Sequence, residues 1–207
     1  MVRELYDKAI EKMKSLNINI YLIALRSANQ GAIDDVLNTN GCANYQFIPG
    51  FVELLKPKQI VELGGAMGVW DVMVLNGKYQ DFKLYSITLE EHGLEFQYVV
   101  DKYPNFVPVV GNDLDLNNWP KDLDLKSTDL WYFDSEHTET QLRKELNLYS
   151  PFFKKGCVII FDDIHSFGLD PVWNDIKKGK WGKMTCIDAT DPLHYSGYGV
   201  CEVISND

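Results

Sequence analysis

From Gln59 onward, short apolar runs alternate with amphipathic stretches. Ile60-Val61-Glu62-Leu63 reads as a strand, Val69 to Leu75 as a helix and Lys83 to Thr88 as a strand. His92 to Lys102 reads as a helix and Phe106 to Val110 as the next strand. Two further runs, Leu130 to Asp134 and Val158 to Asp163, flank a helix predicted over Thr138 to Tyr149. A helix near Pro171 to Lys177 then leads to an antiparallel finish, Lys183 to Ile187 and Gly199 to Ile204. Repeated βα units of this kind predict an α/β fold with a doubly wound, mostly parallel sheet. Before Gln59 the period is helical. Leu5, Ala9, Ile10, Met13 and Leu16 fall on one stripe, and Ala32 to Leu37 and Phe47 to Leu55 suggest further helices. Residues 1–55 therefore read as a helical cap or lid on a core of residues 56–207, the whole forming a single domain. So short a segment cannot bury a useful core of its own.

The 207 residues are 45% hydrophobic and 24% charged, an ordinary globular composition. The net charge of −10 argues against a nucleic-acid partner, which requires a basic face. No stretch has the apolar length to span a bilayer, and the polar start does not resemble a signal peptide. Cys42, Cys157, Cys186 and Cys201 lack CxxC spacing, so buried free thiols in a reducing cytoplasm are the expectation. Cys186 and Cys201 can face each other across the terminal hairpin. The oligomeric state stays open, a homo-oligomer included.

Two of the predicted strands end in aspartate, Asp134 and Asp162, and Asp163 follows directly. Parallel strands joined by a crossover helix end on the same edge of a sheet, where open α/β sheets bind ligands. Three carboxylates meeting there repel unless protonated or bridged by a cation, which points to a hard-metal site. His137, one turn after Asp134, is placed to act as a base, since its ordinary pKa of about 6.5 suits proton transfer near neutrality. Glu136 can serve instead. The bland readings stand beside these: Asp163 can cap the following segment, and Thr138-Glu-Thr-Gln141 has the form of a capping box.

Glu62-Leu63-Gly64-Gly65-Ala66-Met67-Gly68 leaves the first strand toward a helix. Glycines there permit a tight turn and bring backbone N–H groups near a polar ligand. The spacing is neither GxGxxG nor a P-loop, which disfavours a nicotinamide dinucleotide. Glu90, just past the second strand, stands where an acid binds a ribose diol, or is a solvated helix-start acid. Gly111-Asn112-Asp113 after the third strand can meet an adenine edge or simply form a turn.

Taken in order, Glu62 to Gly68, Thr88-Leu-Glu90, Val110 to Asp113, Phe133-Asp134 and Phe161-Asp162-Asp163 resemble the motifs of class I S-adenosylmethionine-dependent methyltransferases. The nearer likeness is to the magnesium-dependent O-methyltransferases, of the catechol type and the antibiotic- and sugar-modifying relatives. The resemblance implies a Rossmann-like sheet of seven strands with a reversed terminal hairpin. It also implies that Gly64, Gly65 and Gly68 hold the methionine end of the cofactor, with Glu62 and Asp134 beside it. Glu90 would take the ribose and Asp113 the adenine. Asp134, Asp162 and Asp163 would hold magnesium or calcium, and His137 would be the catalytic base. The implied activity is methyl transfer to a hydroxylated small molecule. Two departures stand out: the catechol enzymes carry Asn at the place of Asp163 and Lys at that of His137. A metal-independent methyltransferase and a non-catalytic cofactor-binding domain are the rival readings. The loops Ser166 to Gly168 and Asp191 to Gly197 match no motif, so the acceptor is open.

Overall fold

The computed structural model describes residues 2–14, 47–65, 74–75, 77–90, 100–191 and 194–205. The predicted helix Ala32 to Leu37 lies outside them, as do Gly68, His92 and most of the helices predicted over Val69 to Leu75 and His92 to Lys102. The strands are β1 (Gln59–Leu63), β2 (Lys83–Thr88), β3 (Phe106–Val110), β4 (Leu130–Phe133), β5 (Val158–Phe161), β6 (Lys183–Asp191) and β7 (His194–Ser205). The helices are α1 (Val2–Lys14), α2 (Phe47–Leu55), α3 (Glu139–Tyr149) and α4 (Asp170–Lys177).

All seven strands form one sheet in the order β3-β2-β1-β4-β5-β7-β6. The first five run parallel, and β7 pairs antiparallel with both β5 and β6. The doubly wound sheet with a reversed hairpin is thus present. Strands buried on both faces carry no polar alternation, which is why Leu130 to Phe133 and Val158 to Phe161 read as unbroken apolar runs. The hairpin is longer than its hydrophobic pattern suggested, because β6 is an edge strand whose polar end, through Asp188 and Asp191, pairs in register with Gly199 and His194.

Alternate residues of each strand feed two separate cores. Ile60, Leu130, Tyr132, Val158 and Ile160 join Val2, Ala9, Ile48, Phe51 and Val52 on one face. Val61, Trp131, Phe133, Ile159 and Phe161 join Leu142, Leu146, Tyr149 and Trp173 on the other. The amphipathic stripe of α1 therefore closes one face of the sheet together with α2, and α3 and α4 close the opposite face.

This packing makes α2 structural. Phe51 is fully buried in the first core, so Phe51→Ala should cost about 3 to 5 kcal/mol, measured by denaturant unfolding. A loss below about 1 kcal/mol would mean that α2 is not anchored on the sheet.

Candidate active site

Register sets the level of the site. β1 pairs Leu63 with Phe133 of β4, and β4 pairs Phe133 with Phe161 of β5. The next residue on each strand is Gly64, Asp134 and Asp162. The ladder runs into them: the Asp134 N–H donates to the Leu63 carbonyl at 2.9 Å, and the Asp162 N–H to the Phe133 carbonyl at 3.0 Å. Between β1 and β4 the strand order reverses, which opens a crevice beyond the carboxyl ends of the strands. A cavity of about 290 Å³ lies there, walled by Gly64, Thr88, Leu89, Asp113, Asp134 and Gln141 among others.

Gly64 and Gly65 make this crevice possible by their lack of side chains. Gly64 has φ 96°, and a Cβ on it would stand 2.0 Å from the Asp134 carbonyl oxygen. A Cβ on Gly65 would stand 2.0 Å from the Ser86 hydroxyl. Their N–H groups, expected to face a ligand, both donate to the Ile87 carbonyl, at 2.9 and 3.0 Å. The two glycines therefore contribute space and shape rather than hydrogen bonds. Glu62 is buried beneath them and accepts a hydrogen bond from Ser86. The cavity wall runs through Thr88 and Leu89, and the exposed Glu90 follows at the rim. Asp113 is in the wall, where its carboxylate accepts from the Gln141 amide at 3.0 and 3.3 Å.

The aspartates converge as the strand order requires, with His137 among them. Donor atoms of Asp134, His137 and Asp162 lie within 4.8 Å of one another. His137 Nε2 is 2.9 Å from Asp134 Oδ1, and its Nδ1 is 3.0 Å from Asp163 Oδ2. Asp163 adopts a left-handed backbone (φ 55°), and its N–H donates to Asp162 Oδ1 at 3.0 Å. The cluster thus differs from a plain carboxylate trio, because Asp163 meets Asp134 through the imidazole. Those two hydrogen bonds, to Asp134 first and then Asp163, push the His137 pKa up to about 10. The ring is therefore a cation at neutral pH in this arrangement, and the expectation of a histidine near its ordinary pKa is corrected. Burial, and after it the neighbouring Asp162, hold the Asp134 carboxyl well above the usual range.

The two edges of the sheet are electrostatically unlike. At the amino ends of the strands carboxylates meet lysines, as in Lys154–Asp129, Lys58–Asp81 and Lys83–Asp122. At the carboxyl ends, Asp113, Asp134, Asp162 and Asp163 gather, and the His137 ring lies between Asp134 and Asp163.

Several neighbours were not legible beforehand. The Tyr132 hydroxyl donates to Asp134 Oδ2 at 3.1 Å. Thr138 caps α3 by accepting from the Gln141 N–H at 3.2 Å, as the capping-box pattern suggested. The Gln141 side chain, however, donates its amide to two carboxylates, Asp113 and Glu145, while the Thr138 N–H that a capping box would engage donates to the Glu136 carbonyl at 2.7 Å. Phe167 is 66% exposed with φ 52°, and its ring centroid lies 5.3 Å from that of His137. His165, by contrast, is held at the surface by Asp170 at 2.8 Å.

The comparisons with known proteins agree with this geometry. No curated protein sequence matches the chain. Among solved structures, a candidate caffeoyl-CoA O-methyltransferase from Staphylococcus aureus superposes with a TM-score of 0.61 at 17% identity, over 90% of this chain and 100% of that one. A candidate O-methyltransferase from Klebsiella pneumoniae gives 0.59 at 19% identity, over 83% and 89%. TomG, an O-methyltransferase from Streptomyces achromogenes involved in tomaymycin synthesis and solved with S-adenosylmethionine, gives 0.59 at 15% identity, over 79% and 81%. At these identities the likeness is one of fold. The family model described as a methyltransferase domain matches residues 61–164, from β1 through the residue after the aspartate pair, which is half of the chain. On that match, this chain belongs to the methyltransferase-domain family.

Proposed function

We propose that the chain transfers a methyl group from S-adenosylmethionine to a hydroxyl of a small molecule, with a divalent cation held by Asp134, Asp162 and Asp163. One observation carries the reading: the turn after β4 walls the cavity with Asp134, Ser135 and Glu136 and also bears the carboxylate–histidine cluster. A donor and an acceptor would be held side by side there, which is what an in-line transfer requires. In this reading the methionine end of the cofactor lies over Gly64 and Gly65. Glu90 bonds the ribose and Asp113 faces the adenine. Phe167 is the exposed aromatic surface next to the acceptor.

The donor set suits a hard cation. It consists of carboxylate oxygens gathered at the ends of β4 and β5, where burial and then the neighbouring Asp162 hold Asp134 above its usual range. Magnesium or calcium, when bound, supplies Lewis acidity toward an acceptor oxygen and lowers the pKa of its hydroxyl. His137 then supplies the base. It would do so only as the neutral ring: the imidazolium first loses one N–H proton to solvent, and the nitrogen thus freed can take the hydroxyl proton. A metal-independent transfer is the second reading, favoured by the fact that His137 already pairs with both Asp134 and Asp163.

Three outcomes test the proposal. Methyl transfer to a panel of catechols, flavonoids and sugars should vanish in EDTA and return with magnesium. Asp162→Asn should lower it roughly a hundredfold or more while cofactor binding survives. Full turnover in excess chelator selects the metal-independent reading.

Calorimetry should show that S-adenosylmethionine binds and that Glu90→Ala weakens it by about one order of magnitude. Binding of NAD in its place would end the cofactor assignment.

The third outcome is a pH dependence. His137 has a folded-state pKa raised above its unfolded value, so its contribution to stability is complete below pH of about 6.5. That contribution is lost as pH rises toward about 10. In chelator, the melting temperature should therefore fall across this window, and His137→Gln should flatten the fall. Because a cation competes with the imidazolium for the same carboxylates, magnesium should bind more tightly as pH rises and should release protons on binding. A pH-independent magnesium affinity would separate His137 from the cation site.

A further inference from the structure

Glu145 lies on the buried face of α3, in line with Leu142, Leu146 and Tyr149, and is 1% exposed. A leucine would fill such a position without the cost of desolvating a carboxyl group. One carboxyl oxygen, Oε1, accepts hydrogen bonds from the Ser135 hydroxyl and from the Gln141 amide at 3.0 Å. The other, Oε2, is buried with no hydrogen-bond partner among the described residues. Glu145 also lines a void of about 10 Å³ that it shares with Ser135, His137 and Asp162. Burial, and then the neighbouring Asp113, hold its carboxyl well above the usual range.

The two groups that Glu145 binds are both in the cavity wall, which Glu145 itself does not line. Ser135 follows Asp134 directly, and its Cα stands within 2.6 Å of where a Cβ on Gly64 would be. Gln141 reaches from the same Glu145 oxygen to Asp113 on the far side. We propose that Glu145 is a positioning residue that fixes both walls of the cofactor cavity, through Ser135 on one side and through Gln141 and Asp113 on the other. A single buried acceptor thereby sets the width of the cavity and the placement of the turn that carries Asp134 and His137. The void that Glu145 and Asp162 both line is about the size of one water molecule, which could link the two side chains.

This inference rests on the cavity being the cofactor site. Calorimetric titration of S-adenosylhomocysteine into the wild type, Glu145→Leu and Glu145→Gln tests it, with melting temperatures taken alongside. The leucine variant keeps the volume and loses the acceptor, so it should bind about tenfold more weakly or worse while melting no lower than the wild type. The glutamine variant keeps a carbonyl acceptor for Ser135 and Gln141 and should bind within about threefold of the wild type. Wild-type affinity in a folded Glu145→Leu protein overturns the role, as does a loss in Glu145→Gln equal to that in Glu145→Leu. A loss of affinity in proportion to lost melting temperature in both variants also overturns it, since that is the mark of a merely structural residue. If the wild type binds no S-adenosylhomocysteine, the cofactor reading itself fails and takes this inference with it.

Discussion

The approach of Gly64 to the backbone of Asp134 is the contact on which the rest of the site depends. β1 and β4 are neighbours in the sheet, and the strand order reverses between them. Such a junction opens a crevice only if the chain can turn out of β1 while staying against the end of β4. A Cβ at Gly64 would overlap the Asp134 carbonyl at 2.0 Å, so any larger residue must push the two strand ends apart. Asp134 would move with them. Its N–H is fixed on Leu63 and its side chain on Tyr132 and His137, so cavity and acid cluster are parts of one rigid junction.

That junction concentrates negative charge. The chain carries a net charge of −10, yet its amino-end carboxylates are matched by lysines and its carboxyl-end carboxylates are matched by a histidine. Burial, and after it repulsion from Asp162, raises Asp134, while hydrogen bonds to Asp134 and Asp163 raise His137. The two shifts express one fact: a positive charge is stabilised at this point of the sheet edge. The imidazolium and a divalent cation are alternative ways of supplying it, which ties the protonation of His137 to whatever else occupies the site.

Much of this was legible along the chain. The apolar runs of β2 and β3 and of α2 have the limits that their hydrophobic pattern indicates, because each is bounded by polar or turn-forming residues. The convergence of Asp134 and Asp162 also follows from pattern, since parallel strands on either side of a crossover helix end at one edge. What pattern left out was every polar partner that depends on packing. Glu145 and Gln141 lie four residues apart on α3, a visible spacing, but a glutamate on an amphipathic helix reads as solvated and this one is buried. The extension of β6 to Asp191 was hidden for a related reason, since an edge strand need not alternate.

The sequence by itself therefore determined the order of strands and helices, the glycine turn and the gathering of acids at one edge, because these follow from local periodicity and from the rules that connect parallel strands. Only the tertiary structure decided how those groups are used. It assigned the Gly64 and Gly65 N–H groups to Ile87 rather than to a ligand. It set His137 between Asp134 and Asp163 as a cation, and it buried Glu145 against Ser135 and Gln141. Hydrogen-bond partners and pKa values depend on distances of a few ångström between residues far apart in the chain, and on how much water packing excludes from them. Neither quantity exists until the sheet has closed over its two cores.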